Sequence, residues 1–240
     1  MLMRRAAQRG LGMVELMVGI TIGLIIVAAA SVMMVGQINE HRRLTLETQA
    51  QQDLRVASDL MLRELRRAGF WAAPELQVWA PDQPAPAPNP YADGSGCKVE
   101  TKPSQIVYAF SRADYGKPGA NSTPQGPAAD AKEYFGFRWR DNKILDFMLG
   151  CTNGKPNWQP LTDESALEVR EFSVTPVVQA IPLDAFCSKP CTDEKSCPRQ
   201  EIRRYDIKLI ARSVFDRKVE RSYQFSSRAR NDVISGACPA

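Results

Sequence analysis

Residues 16–36 read LMVGITIGLIIVAAASVMMVG, 21 in a row without a charge, and a single carboxylate, Glu15, stands at their head. As an α-helix rising about 1.5 Å per residue, that run spans roughly 30 Å, the thickness of a bilayer's hydrocarbon core. An ionised carboxylate at mid-membrane costs about 2.5–3.5 kcal/mol on insertion scales, and less toward the edge. No Lys or Arg lies between Gly10 and Glu40 to offset that cost. A cation for Glu15 therefore has to come from another molecule, or be made by cleavage.

The flanks set the orientation. Arg4, Arg5 and Arg9 precede the run and His41-Arg42-Arg43 follow it. The positive-inside bias favours a cytoplasmic N-terminus, weakened by the two arginines beyond. The expected topology is a short leader, one span and the remaining chain outside. A cleaved secretory signal with Ala28-Ala29-Ala30 at the cut is an alternative. The apolar run, however, continues through Val32-Met33-Met34-Val35 and exceeds an h-region of about 7–15 residues. A plain anchor leaves Glu15 without a reason.

The stretch RGLGMVELMVGITIGLIIVAAA, residues 9–30, resembles the class III signal of type IV prepilins and pseudopilins. That resemblance implies a leader of residues 1–10 and a peptidase cut between Gly10 and Leu11. It further implies N-methylation of Leu11 and a role for Glu15 as the acidic fifth residue of the mature chain. There it would meet the terminal ammonium of a neighbouring subunit. Two departures matter. Leu11 stands where Phe is more usual, and no proline precedes Pro74. Major pilins commonly carry a helix-breaking proline in the hydrophobic half, so a less kinked helix and a role other than bulk subunit are expected.

Past the apolar run, Leu46, Ala50, Leu54, Ala57, Met61, Leu65 and Ala68 recur at helical spacing, one apolar stripe on an otherwise charged helix. Gly69, directly after Arg66-Arg67-Ala68, is a fitting stop. SDLMLRELRRAGFW, residues 58–71, is similar to the stretch that closes the helix in PilW-type minor pilins, relatives of J-type pseudopilins. The fold expected is α+β and pilin-like. A long N-terminal helix, with a membrane or filament-core half (11–36) and an amphipathic half (37–69), packs on an antiparallel sheet. A connector (70–104) with prolines at 81, 84, 86, 88 and 90 should cross the surface as extended chain. A second Gly/Pro-rich loop covers 115–131. In the β-rich domain (105–240), alternation predicts strands at 105–112, 133–141, 143–149 and 166–178. A closing hairpin should turn at Phe215-Asp216-Arg217, and Asp141-Asn142-Lys143 reads as a tight turn.

Six cysteines, Cys97, Cys151, Cys187, Cys191, Cys197 and Cys238, all follow the span, where disulfides are the default. Cys97 with Cys151 is the expected first pair, the other four forming two more. A metal knuckle at Cys187, Cys191 and Cys197 lacks the usual second pair of close ligands, and the one histidine, His41, is far away in sequence. Asp93-Gly94-Ser95 and Asp193-Glu194 do not match a calcium loop. No cofactor or metal is expected. A single histidine and the lack of P-loop, GxGxxG and HExxH patterns disfavour an enzyme. Asp163-Glu164 reads as surface charge. The formal charge of +4 rests largely on Arg4, Arg5 and Arg9, which gives no support for nucleic acid.

What the resemblance implies is a minor pilin that helps initiate or cap a type IV pilus. Its partners would be other minor pilins, the major pilin, the prepilin peptidase/N-methyltransferase, the inner-membrane assembly platform and membrane lipid. It would lie in the inner membrane as a single pass, with its C-terminal domain periplasmic, and later at the pilus tip. The alternatives are a J-like minor pseudopilin of a type II secretion system and a membrane-anchored periplasmic adhesive or binding domain.

Overall fold

Apolar positions at helical spacing with no intervening proline allow one unbroken helix, and α1 (Met13–Arg67) runs for 55 residues. The computed structural model describes residues 12–72, 78–86, 88–92, 94, 97, 99, 102–112, 131–193 and 196–239. Gly10, Leu11, Asp93, Ser95, Glu194 and nearly all of the 115–131 loop lie outside the described residues. The chain divides into two units, Met1–Leu46 and Glu47–Ala240.

In the second unit the predicted stripe is the core side of α1. Ala50, Leu54, Ala57, Met61 and Leu65 are buried, as is Ala68 just beyond the helix. The helix stops because Gly69 takes a left-handed φ of +77°. Its N–H then donates to the Ala109 carbonyl at 2.9 Å. A helix end leaves carbonyls without intrahelical partners. Here the C-terminal segment supplies donors: the Arg230 N–H reaches the Arg66 carbonyl at 3.0 Å, and the Asn231 amide reaches Arg67 and Ala68 at 3.4 and 3.3 Å.

Two antiparallel four-stranded sheets stand where one was expected. The first holds β1 (Gln105–Ala109), β2 (Tyr134–Arg140), β3 (Ile144–Thr152) and β4 (Lys155–Pro160) in that order. The second holds β5 (Leu167–Pro182), β6 (Arg199–Ser213) and β7 (Glu220–Arg228), with β8 (Val233–Ser235) paired to β6. They are joined by bonds from β5: Val169 N–H to the Lys143 carbonyl at 2.7 Å and Val174 N–H to the Pro103 carbonyl at 3.0 Å. The Trp139 indole N–H also donates to the Val169 carbonyl at 3.1 Å. Alternation then turns Tyr108, Phe135, Phe137 and Leu145 of the first sheet, and Phe172, Ile207 and Leu209 of the second, into one core with the α1 stripe.

The opposite face of the first sheet is also covered. Trp71, Tyr91 and Cys97 of the connector pack on Tyr134, Met148 and Cys151. Trp71, Tyr91 and Cys97 of the connector thus belong to a second core that its prolines conceal in the sequence pattern, while the proline stretch at 78–86 stays largely exposed. The connector is held by the Cys97–Cys151 disulfide and by the Asn89 amide on the Gly69 carbonyl at 2.8 Å. At Gly94 a Cβ would meet the Val107 backbone at 2.6 Å, so only glycine lets the connector lie this close to β1.

β4 and β8 escape the sequence reading. Asn153-Gly154, with φ of +53° and +74°, makes the two-residue turn between β3 and β4. Pro156 and Pro160 mask β4 as a strand, but it lies at a sheet edge, where proline is tolerated. Asp141 and Asn142, both left-handed, make the predicted turn, and the Lys143 N–H reaches the Arg140 carbonyl at 3.0 Å. Phe215-Asp216-Arg217 lies in the turn between β6 and β7. Cys187–Cys238 and Cys191–Cys197 tie the loop between β5 and β6.

Candidate functional site

Within the Met1–Leu46 unit every described side chain from residue 12 to residue 45 is exposed. The hydroxyls there are turned back on the helix. Thr21 donates to the Met17 and Val18 carbonyls at 3.1 and 2.9 Å, and Ser31 to the Val27 carbonyl at 2.8 Å. From residue 16 to residue 36 what faces outward is hydrocarbon. A contiguous apolar surface of this size needs lipid or protein against it, and the helix is long and apolar enough to cross a membrane.

Glu15 occupies the first turn of α1, where the helix dipole favours a carboxylate. It has no ion-pair partner among the described residues. Four residues on is Gly19, four more Gly23, and seven more Ala30, spacings that place all of them on Glu15's side of the helix. Nothing lies within 4 Å of a Cβ built on Gly19 or Gly23. No contact among the described residues therefore requires glycine there; such small residues let a second helix approach closely in lipid. The sequence reading passed over this Gly19-Ile20-Thr21-Ile22-Gly23 spacing, although it is legible as GxxxG.

The remaining candidates resolve into structural roles. The six cysteines are all in disulfides within the Glu47–Ala240 unit. Among the described residues no group of three or more His, Cys, Asp or Glu could hold a metal. His41 is exposed on the helix. Asp163 accepts from the Ser165 hydroxyl and N–H at 2.7 and 2.8 Å, which hold its carboxyl below the usual range in a solvated turn. Glu133, a buried carboxylate the sequence did not single out, accepts from the Tyr91 hydroxyl at 2.6 Å and the Arg112 N–H at 2.7 Å. Burial and Glu133 hold the Tyr91 phenol well above its ordinary range. The pair ties the connector to the first sheet. Asp146, also buried, holds the Nε of Arg138 and of Arg140 at 2.8 and 2.9 Å.

The family model for prepilin peptidase-dependent protein B matches residues 43–229. The chain belongs to this family. The model of the prokaryotic N-terminal methylation motif matches residues 5–31, a stretch that takes in Gly10, Leu11 and Glu15. Neither a curated protein nor a solved structure matches the chain. Together the two family matches make it a type IV pilin-like subunit, and they point to a structural role rather than to catalysis.

Proposed function

We propose that the chain is a minor pilin of the PilW type, cut after Gly10 and N-methylated on Leu11, that helps initiate a type IV pilus or cap its tip. The observation that carries this reading is the methylation-motif match lying over the apolar, uncovered start of α1, where Glu15 has no ion-pair partner among the described residues. Before assembly residues 11–36 lie in the inner membrane and the Glu47–Ala240 unit is periplasmic. Assembly sets Glu15 against the terminal ammonium of a neighbouring subunit, which lowers the cost of an ionised carboxylate in an apolar surrounding. The Gly19 and Gly23 side of the helix then faces another pilin helix. Other minor pilins and the major pilin are the partners, with the prepilin peptidase and the inner-membrane assembly platform acting earlier.

Mass spectrometry of the mature chain is expected to find N-methyl-Leu11; an intact leader, or a start at Ser31, would overturn the reading. Glu15→Ala is expected to leave the protein in the membrane while its recovery in sheared pili falls by about tenfold or more, since truncating one member of a buried charge pair costs about 2–5 kcal/mol. Unchanged incorporation would remove Glu15 from the assembly contact.

A further inference from the structure

The C-terminal end of α1 opens onto a cleft of about 360 Å³ lined by Arg66, Arg67, Phe70, Ser111, Arg112, Arg230 and Asn231. Four of these residues are arginines from three separate segments of the chain. Arg66, Arg112 and Arg230 form no ion pair among the described residues. Arg67 alone pairs with a carboxylate, Glu64, at 3.4 Å. A further described acid, Glu133, faces the Tyr91 hydroxyl and the Arg112 N–H. A fifth guanidinium, that of Arg203, stands behind Gly69. Among the described residues, cations therefore outnumber carboxylates around the opening.

Two of the arginines are set in place by aromatic rings. Arg67 lies 4.0 Å from the centre of the Phe110 ring and Arg112 4.7 Å from that of Phe135, and these rings stack on each other at 4.3 Å. A guanidinium laid on a ring keeps its N–H edge available and has already lost part of its rotamer freedom. Ser111, Asn231 and the half-exposed ring of Phe70 complete the lining with neutral polar and apolar contacts. The planar fork of a guanidinium matches a carboxylate, to which it can donate two parallel N–H bonds.

We propose that this cleft is a docking site for an acidic peptide segment, a run of Asp or Glu side chains, presented by a partner subunit. The proposal rests on reading the chain as one subunit among several. It requires no change in the fold, since Arg112 and Arg230 are already exposed.

The test uses the full chain in non-ionic detergent at low salt, with fluorescein-labelled hexaglutamate as probe and hexaglutamine as control. Saturable binding of hexaglutamate alone is expected, and the Arg112→Gln/Arg230→Gln double variant should weaken it by about tenfold, as loss of charge-assisted bonds implies. Removing two exposed charges elsewhere, by Lys155→Gln/Lys218→Gln, should leave it nearly unchanged. No saturable binding, equal binding of hexaglutamine, or an equal loss in both double variants would overturn the proposal. Inorganic phosphate provides a further arm that needs no variant: displacement at matched total charge would make the site one for free oxyanions and not for a peptide. All of this is read on the purified chain, so failure here leaves cleavage after Gly10 standing, and failure of that cleavage leaves the cleft standing.

Discussion

Tyr108 buries its hydroxyl with no hydrogen-bond partner among the described residues, and its ring lies among those of Phe110, Phe135 and Phe137. Burial holds its phenol far above the ordinary range, so it stays neutral. A buried hydroxyl without a partner lowers stability, and Tyr108→Phe removes it while keeping the ring. The substitution should stabilise the protein by about 1 kcal/mol and raise the midpoint of thermal unfolding by about 2–4 °C. A lower midpoint would show that the hydroxyl is bonded after all. Individual residues were legible in the sequence where the signal was local. Glu15 stands out because its neighbours carry no charge. Glu133 and Tyr91, 42 positions apart, and the arginines around Phe70 did not, because only the fold brings them together.

β5 is an edge strand of the second sheet over its full length, and an open edge invites another strand to pair. Its outward N–H groups can be traced from the bonds they make. Those of Val169 and Val174 are taken by the carbonyls of Lys143 and Pro103. Alternation then points Pro176, Val178, Ala180 and Pro182 the same way, and the two prolines have no N–H to offer. Beyond Val174 only Val178 and Ala180 remain as outward donors, a window too short for a stable ladder. Pro176→Val with Pro182→Val should open it and increase self-association, read by light scattering on the detergent-solubilised chain. An unchanged mass at high concentration would mean that these prolines do not protect the edge. Elements, too, were readable by how locally they are specified. The α1 stripe and the turns at Asp141-Asn142 and Phe215-Asp216-Arg217 follow from spacing alone. β4 was hidden by the same chemistry that makes it an edge, and how the two sheets join depends on bonds such as Val169 to Lys143 that no period reports.

Three disulfides act on the whole molecule, and they do so unequally. Cys97–Cys151 and Cys187–Cys238 close separations of 54 and 51 residues, Cys191–Cys197 only 6. Loop closure in the unfolded chain makes the longer two worth about 4 kcal/mol each and the short one about 2 kcal/mol. Access follows a different order. Both sulfurs of Cys97–Cys151 lie in the core beneath the connector, whereas Cys187, Cys191 and Cys238 reach the surface. A thiolate must attack a sulfur in line, so mild reductant should open the pairs at the β5–β6 loop first and leave Cys97–Cys151 until the connector lifts off the sheet. Timed alkylation followed by mass spectrometry should accordingly pass through a species with four labelled cysteines, Cys187, Cys191, Cys197 and Cys238, before six are labelled. The step from four to six should coincide with protease cleavage in the Pro-rich stretch, because Cys97 anchors that segment on Cys151. Early labelling of Cys97 and Cys151 with the connector still resistant would instead mean that Trp71 and Tyr91, packed on Tyr134 and Met148, hold it in place without the covalent link.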